Sequence, residues 1–247
     1  AVVLSGGDPA SSSAVRDGTA GVQDEGSQLV ALLLADAPVD GPDATWLDLC
    51  AGPGGKAALL GALAAQRGAR LVANEVAPHR VRLVARSVRA LTSVQVRTGD
   101  GRDVGDAEPG RYDRVLVDAP CTGLGALRRR PEARWRRTPA DLAQLGTLQR
   151  ELLASALRAV RVGGVVGYVT CSPHLAETSL VVTDALRAAQ RAGLGVEVAE
   201  AAPVLRQVLG ADHPAVDDAL TPSGAVQLWP HRHGTDAMFL TLLRRTA

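Results

Sequence analysis

With 247 residues, 46% of them apolar and 21% charged, the chain has the length and composition of one soluble α/β domain with a short extension. Its three cysteines, Cys50, Cys121 and Cys171, fall at unrelated spacings, which excludes a disulfide framework and a CxxC metal pair and fits a reducing cytoplasm. No signal peptide is visible and no apolar run is long enough to span a bilayer, so no membrane partner is expected.

Residues 1–20, rich in Gly, Ser, Pro and Asp, predict an extended lead-in. Val22 to Ala35 predicts a helix capped by Asp24 or Ser27, and Pro38-Val39-Asp40-Gly41-Pro42 breaks it. Strands and helices then alternate. Strands are predicted at Trp46–Leu49, Leu71–Asn74, Val94–Arg97, Arg114–Val117, Val165–Val169 and Val196–Val198. Helices are predicted at Lys56–Arg67, Pro78–Leu91, Pro139–Val160 and Glu177–Ala192. Val226–Leu228 and Met238–Leu242 read as a closing strand pair. Such alternation predicts an α/β fold with a mainly parallel sheet covered by helices on both faces. Ligands in such sheets bind outside the carboxyl ends of the strands. Glu75, Asp100, Asp118, Cys121, Cys171 and the loop Cys50–Lys56 each follow a strand, so all are expected on one rim.

That loop, Cys50-Ala51-Gly52-Pro53-Gly54-Gly55-Lys56, lies between a strand and a helix, and its glycines let backbone amides approach a ligand. It is neither a Walker loop nor a spaced GxGxxG fingerprint. Glu75 ends the next strand, about twenty residues on, where an acid can accept from ribose hydroxyls. Asp100 ends the following unit, placed to accept from an adenine amino group. A bound adenosine explains all three elements. Cys121 and Cys171 both sit where an apolar strand meets a polar loop, the setting of a reactive thiol more than of a buried structural one.

Charge is uneven along the chain. Residues 1–50 hold Asp8, Asp17, Asp24, Glu25, Asp36, Asp40, Asp43 and Asp48 against Arg16 alone. Residues 126–137 hold Arg128, Arg129, Arg130, Arg134, Arg136 and Arg137 around Trp135, against Glu132 alone. Arginines interleaved with an aromatic suit phosphate contact and base stacking, which predicts an RNA partner for Arg128, Arg129, Arg130, Arg134 and Trp135.

The segments Asp48–Lys56, Asp118-Ala119-Pro120-Cys121-Thr122-Gly123 and Thr170-Cys171-Ser172, in this order, resemble the Nop/Sun family of RNA (cytosine-C5)-methyltransferases, and most of all its bacterial Sun/Fmu branch. The resemblance runs from Val22-Gln23-Asp24-Glu25 to the C-terminus. It implies a Rossmann-like, S-adenosylmethionine-dependent methyltransferase fold and small-subunit ribosomal RNA as substrate. It implies that Cys50, Ala51, Gly52, Pro53, Gly54, Gly55 and Lys56 line the methionine side of the cofactor. It further implies that Glu75 holds the ribose, Asp100 the adenine, Asp118 the reaction centre, Cys171 acts as nucleophile and Cys121 releases product. Residues 1–40 are then a lead-in and helix packed on a catalytic domain spanning 41–247, the chain is expected to be a monomer, and an RNA-binding domain common in the branch is expected to be missing from a chain that begins at Ala1. The family's Pro-Cys-Ser-Gly is Pro-Cys-Thr-Gly here, which keeps the hydroxyl, and Pro-His-Leu-Ala-Glu-Thr replaces Pro-Glu-Glu-Asn-Glu after Thr-Cys-Ser, leaving Glu177 to stand in.

The chemistry explains two thiols. Cytosine C5 is a poor nucleophile until a thiolate adds to C6, and the base must leave its helix for this to happen. Three alternatives compete: a methyltransferase for small molecules or proteins, a non-catalytic ribosome-assembly factor, and a transfer RNA enzyme. The first leaves the thiols and arginines unexplained. The second leaves the intact thiols and acids without a role. The cysteine roles can also be exchanged. His174, His231 and His233 lie near these loops with no metal-site spacing.

Overall fold

Eight strands join in one sheet in the computed structural model, which describes residue 2 and residues 6–247. They are β1 (Thr45–Asp48), β2 (Arg70–Glu75), β3 (Val94–Thr98), β4 (Tyr112–Asp118), β5 (Val160–Thr170), β6 (Val196–Ala199), β7 (Val226–Gln227) and β8 (Phe239–Arg245). The order is β3-β2-β1-β4-β5-β8-β6, with β7 on β8. β1 to β5 pair in parallel, whereas β8 runs antiparallel to β5, β6 and β7. The mainly parallel sheet expected from the alternation is therefore present, and the closing strand pair is β7 with β8.

Alternate residues along each strand feed opposite core layers. Trp46, Leu71, Ala73 and Leu116 join one layer, beneath the helices Glu25–Asp36, Gly55–Gln66 and Ala201–Leu209. Leu47, Val72, Val115 and Val117 join the other, beneath Pro139–Ala159 and Ser179–Arg191. Each fully buried Leu or Val contributes about 2 kcal/mol. A one-residue slip of β1 would exchange Trp46 with Leu47 between layers of different shape, so register is held from both sides.

Several boundaries differ from expectation. The lead-in is not extended throughout: residues 1 and 3–5 lie outside the described residues, but Pro9–Ser11 forms a 3-10 turn and Ser13–Asp17 a short helix, capped by Asp8 and by Gly18 at φ 80°. The first long helix starts at Glu25 because the Asp24 side chain accepts from the Ser27 amide. The helix from Pro78 ends at Ser87, although Val88 and Leu91 still pack on the core, so the apolar spacing outlasts the helix. β5 begins at Val160, directly after the long helix. The helix expected from Glu177 begins at Ser179, because Glu177 turns inward. The helices Ala201–Leu209 and Ala215–Ala219 were not foreseen.

β1 passes on to β2 on one side and β4 to β5 on the other. The crevice between the carboxyl ends of β1 and β4 is thus the switch point where open α/β sheets bind ligands.

Candidate active site

The glycine loop opens directly from β1. Gly54 adopts φ 115°, a conformation that costs other residues, and the helix starts at Gly55. Glu75, at the end of β2, is only 2% exposed. Its carboxylate accepts from the Gly52 amide (3.0 Å) and from the Ala77 amide (3.0 Å). Arg80 completes the corner, donating to the Gly52 carbonyl and standing 3.5 Å from Glu75. A Cβ at Gly52 would collide with the Glu75 carboxylate and the Arg80 guanidinium. Asp100 follows β3, where Arg102 grips it through Nε (3.0 Å) and Nη2 (2.6 Å). Those bonds hold the Asp100 carboxyl below the usual range. Ser155 fixes the same loop, donating to the Gly101 carbonyl (2.7 Å) and accepting from the Gly105 amide (2.8 Å).

Asp48 is the acid that sequence reasoning passed over. It ends β1 with 1% exposure, and neither carboxylate oxygen has a hydrogen-bond partner among the described residues. Burial, reinforced by the nearby Asp118 charge, pushes its pKa up to about 8. The available signal was an acid ending an apolar strand just before the glycine loop. Lys56 reaches back from its helix to Asp118 at the end of β4, with Nζ to Oδ2 at 2.8 Å. Burial pulls the Lys56 ammonium down, but the Asp118 charge and hydrogen bond outweigh it and the net shift is upward.

Cys121 and Cys171 follow the adjacent strands β4 and β5. Their Sγ atoms lie 3.4 Å apart. The hydrogen bond from Cys121 lowers the Cys171 thiol, with burial and Asp118 opposing and Lys56 assisting. The same bond, and then burial, pushes Cys121 far up. Within the pair, Cys171 is thus the thiol more readily ionised and Cys121 the less. Cys50 is a different case: burial, then Asp48 and Asp118, push its thiol well up, so it stays protonated.

The loop bearing Cys121 is held at three backbone atoms. Gln149 Nε2 donates to the Pro120 carbonyl (2.8 Å), Glu177 Oε1 accepts from the Thr122 amide (2.8 Å), and Arg137 Nε donates to the Thr122 carbonyl (3.1 Å). The Gly125 amide donates to the Cys171 carbonyl (2.9 Å), tying the two loops together. Gln149 was not foreseen. Its only sequence signal is a position on the buried face of the long helix, in step with Leu152, Leu153 and Ala156.

The arginine stretch splits into two groups. Arg128 Nε bonds Asp236 (3.1 Å) and its Nη2 bonds Asp24, while Arg129 Nε bonds Asp236 (3.0 Å). Asp24 and Asp236 are almost wholly buried, so these two arginines lock the loop to the chain's two ends. Arg130, Arg134 and Arg136 form no ion pair among the described residues and are exposed, beside a Trp135 that is 83% exposed. His174 Nδ1 accepts from the Ala176 amide, whereas His233 Nδ1 accepts from the Trp229 amide and is mostly buried, not a surface histidine.

A separate cleft of about 800 Å³ runs behind the glycine loop, between Val22, Gln23, Pro53, Leu59, Leu83 and Arg89. None of the acids or thiols named above lines it. No helix among the described residues is long and apolar enough to cross a membrane.

Comparison with known proteins gives the arrangement its context. A Mycobacterium tuberculosis (strain H37Rv) protein named as a methyltransferase is 57% identical over 245 residues, covering 99% of this chain and 50% of its own length. A Bacillus subtilis protein named as a ribosomal RNA small subunit methyltransferase B is 31% identical over 236 residues, covering 93% of this chain and 48% of its own length. The chain thus spans about half the length of the curated relatives it matches. Among solved structures, the crystal structure of PH0851 superposes with a TM-score of 0.80 at 30% identity, over 97% of this chain and 50% of that one. A methyltransferase homologue from Pyrococcus horikoshii superposes with 0.71 at 25% identity, over 97% and 72%. The fold is that of the Rossmann-like S-adenosylmethionine-dependent methyltransferases. A family profile described as 16S rRNA methyltransferase RsmB/F matches residues 33–244, and the chain belongs to that family.

Proposed function

We propose that the chain methylates cytosine C5 in RNA, with small-subunit ribosomal RNA as substrate, through a covalent bond between Cys171 and C6. The observation that carries this reading is the pair of sulfurs 3.4 Å apart at the ends of adjacent strands, one thiol shifted down and the other up. A methyltransferase that works by simple displacement needs neither.

S-adenosylmethionine is the methyl donor and supplies an electrophilic methyl group when bound. The site suits it on two counts. Asp48 is a buried acid without a partner, as a ligand ammonium requires, and Gly52 keeps the backbone free of a Cβ beside Glu75. The loop Cys50–Lys56 would hold the methionine part, Glu75 the ribose and Asp100 the adenine.

Cys171 adds to C6, which makes C5 a carbon nucleophile. Asp118, oriented by Lys56, stabilises the charge that develops on the ring. Once C5 carries the methyl group, its proton must leave before the Cys171–C6 bond breaks. By then the Cys171 sulfur is bonded to carbon and uncharged. Cys121, whose sulfur stands 3.4 Å from that of Cys171, then gives up its own proton to water and takes the C5 proton as base. The freed electron pair restores the ring and expels Cys171 as thiolate. The RNA lies along the stretch from Arg128 to Trp135, where Arg130 and Arg134 meet phosphates and Trp135 stacks on a base. Residues 41–247 serve as the catalytic domain, with 1–40 packed on it.

Sequencing 5-methylcytosine in total RNA with and without the gene tests the reading. Loss of one mark in small-subunit ribosomal RNA supports it. Loss confined to transfer RNA keeps the chemistry and changes the substrate, and an unchanged map overturns both.

A further inference from the structure

Glu177 is an acidic residue with 0% exposure, placed in the turn after Cys171. Burying a carboxylate is costly unless it is fully bonded. Here every donor comes from the machinery around the other thiol. Oε1 accepts from the Thr122 amide (2.8 Å) and from Gln149 Nε2 (3.1 Å), and Oε2 accepts from Thr122 Oγ1 (2.5 Å). Gln149 in turn holds the Pro120 carbonyl (2.8 Å). Glu177 is itself anchored, since its carbonyl accepts from the Tyr168 hydroxyl (2.8 Å) and its amide donates to the His174 carbonyl (2.9 Å). A strut rooted beside Cys171 thus grips the residues before and after Cys121. This also explains why the position after Cys121 keeps a hydroxyl as Thr: that hydroxyl is a donor to Glu177.

We propose that Glu177 is a positioning residue for product release, setting where the Cys121 thiol stands relative to Cys171. The proposal rests on the covalent reading above. Without the strut the loop after β4 keeps the bonds from Arg137, Gln149 and Gly125 but loses both bonds from Thr122 to Glu177, and Cys121 drifts from a position where proton transfer tolerates little displacement.

The test compares Glu177→Ala and Glu177→Gln in the full chain, with Cys121→Ala as reference. Glutamine can keep Oε1 as acceptor and donate to Thr122 Oγ1, so it should preserve the strut. Glu177→Ala should retain S-adenosylmethionine affinity and the KM for RNA. Its kcat should fall on the order of a hundredfold, the scale of one lost general base. It should accumulate a denaturation-resistant RNA adduct, as Cys121→Ala does. Glu177→Gln should restore turnover to within a few-fold of the parent. Cys171 alkylation by iodoacetamide gives a second readout that needs no RNA. The groups facing that thiol are Cys121, Asp118, Lys56, Asp236 and Arg129. Of these only Cys121 should move in Glu177→Ala, so the midpoint of alkylation against pH should rise. Should Glu177→Ala fail to fold, Thr122→Val removes the Oγ1 bond alone and should give a smaller change in the same directions. An unaltered alkylation midpoint with parental turnover overturns the proposal, and so does a loss of turnover with no adduct that glutamine does not rescue. Absence of any adduct in Cys121→Ala, together with no methylation by the parent, overturns the covalent reading instead. The alkylation midpoint then still decides whether Glu177 places Cys121.

Discussion

Cys121 and Cys171, 50 residues apart in the chain, meet with their sulfurs at 3.4 Å because β4 and β5 are neighbours whose registers pair Asp118 with Val169. This pairing decides which thiol ionises more readily. A hydrogen bond from Cys121 favours ionisation of Cys171 and holds Cys121 back from it.

Removing the donor should therefore raise the Cys171 pKa. In Cys121→Ala, the rate of Cys171 alkylation should reach half its plateau at a higher pH than in the parent, while Cys121→Ser, which keeps a donor, should lie between. Equal midpoints in all three would show that Lys56, not Cys121, holds the thiolate.

The two thiols should fail differently. Cys171→Ala should abolish turnover and form no adduct, since C6 is never attacked. Cys121→Ala should attack and stall, leaving RNA bound through Cys171 on a denaturing gel. An adduct in the Cys171 variant alone would reverse the roles.

Asp48 makes stability depend on pH. Folded, it holds its proton up to about pH 8; unfolded, it releases it near the ordinary 3.8. Between these values the folded state binds more protons, so stability should fall as pH rises from about 4 to 8. Asp48→Asn should remove this slope and be more stable than the parent at pH 8, by on the order of 5 kcal/mol for a pKa raised from 3.8 to about 8, with little difference at pH 4. A parent melting temperature independent of pH over this range would mean that Asp48 is ionised throughout. Binding of a cationic ligand beside Asp48 should also release a proton at pH 7, measurable as buffer-dependent heat.

The arginine stretch should show two kinds of effect. Neutralising Arg130 and Arg134 should weaken RNA binding and reduce the salt slope by about one for each phosphate that no longer meets an arginine. Neutralising Arg128 and Arg129 should lower stability as well, because it leaves Asp24 and Asp236 buried and unpaired. Identical slopes in the Arg130 and Arg134 variants would make that surface a solvated loop.

Much was legible in the sequence because it is encoded locally. Apolar runs flanked by Gly and Pro marked the central strands, and the strand–loop–helix around Gly52–Lys56 marked the rim at the carboxyl ends of the strands. The helices after Glu200 were missed because short apolar groups there also suit loops, and the helix spanning Ser13–Asp17 because its stop signals outnumber its helix formers.

Residue type and strand-end position singled out Cys121, Cys171, Asp118, Glu75 and Asp100, since an α/β sheet sends every such position to one rim. Tertiary structure alone decided which groups pair. It placed β8 between β5 and β6, turned Glu177 onto Thr122, and drew Arg128 and Arg129 onto Asp24 and Asp236 from opposite ends of the chain. It also left Asp48 without a partner while giving Asp118 to Lys56. Sequence spacing carries no information about these pairings, because a hydrogen bond or a charge pair depends on separations of a few ångströms that arise only once distant segments pack.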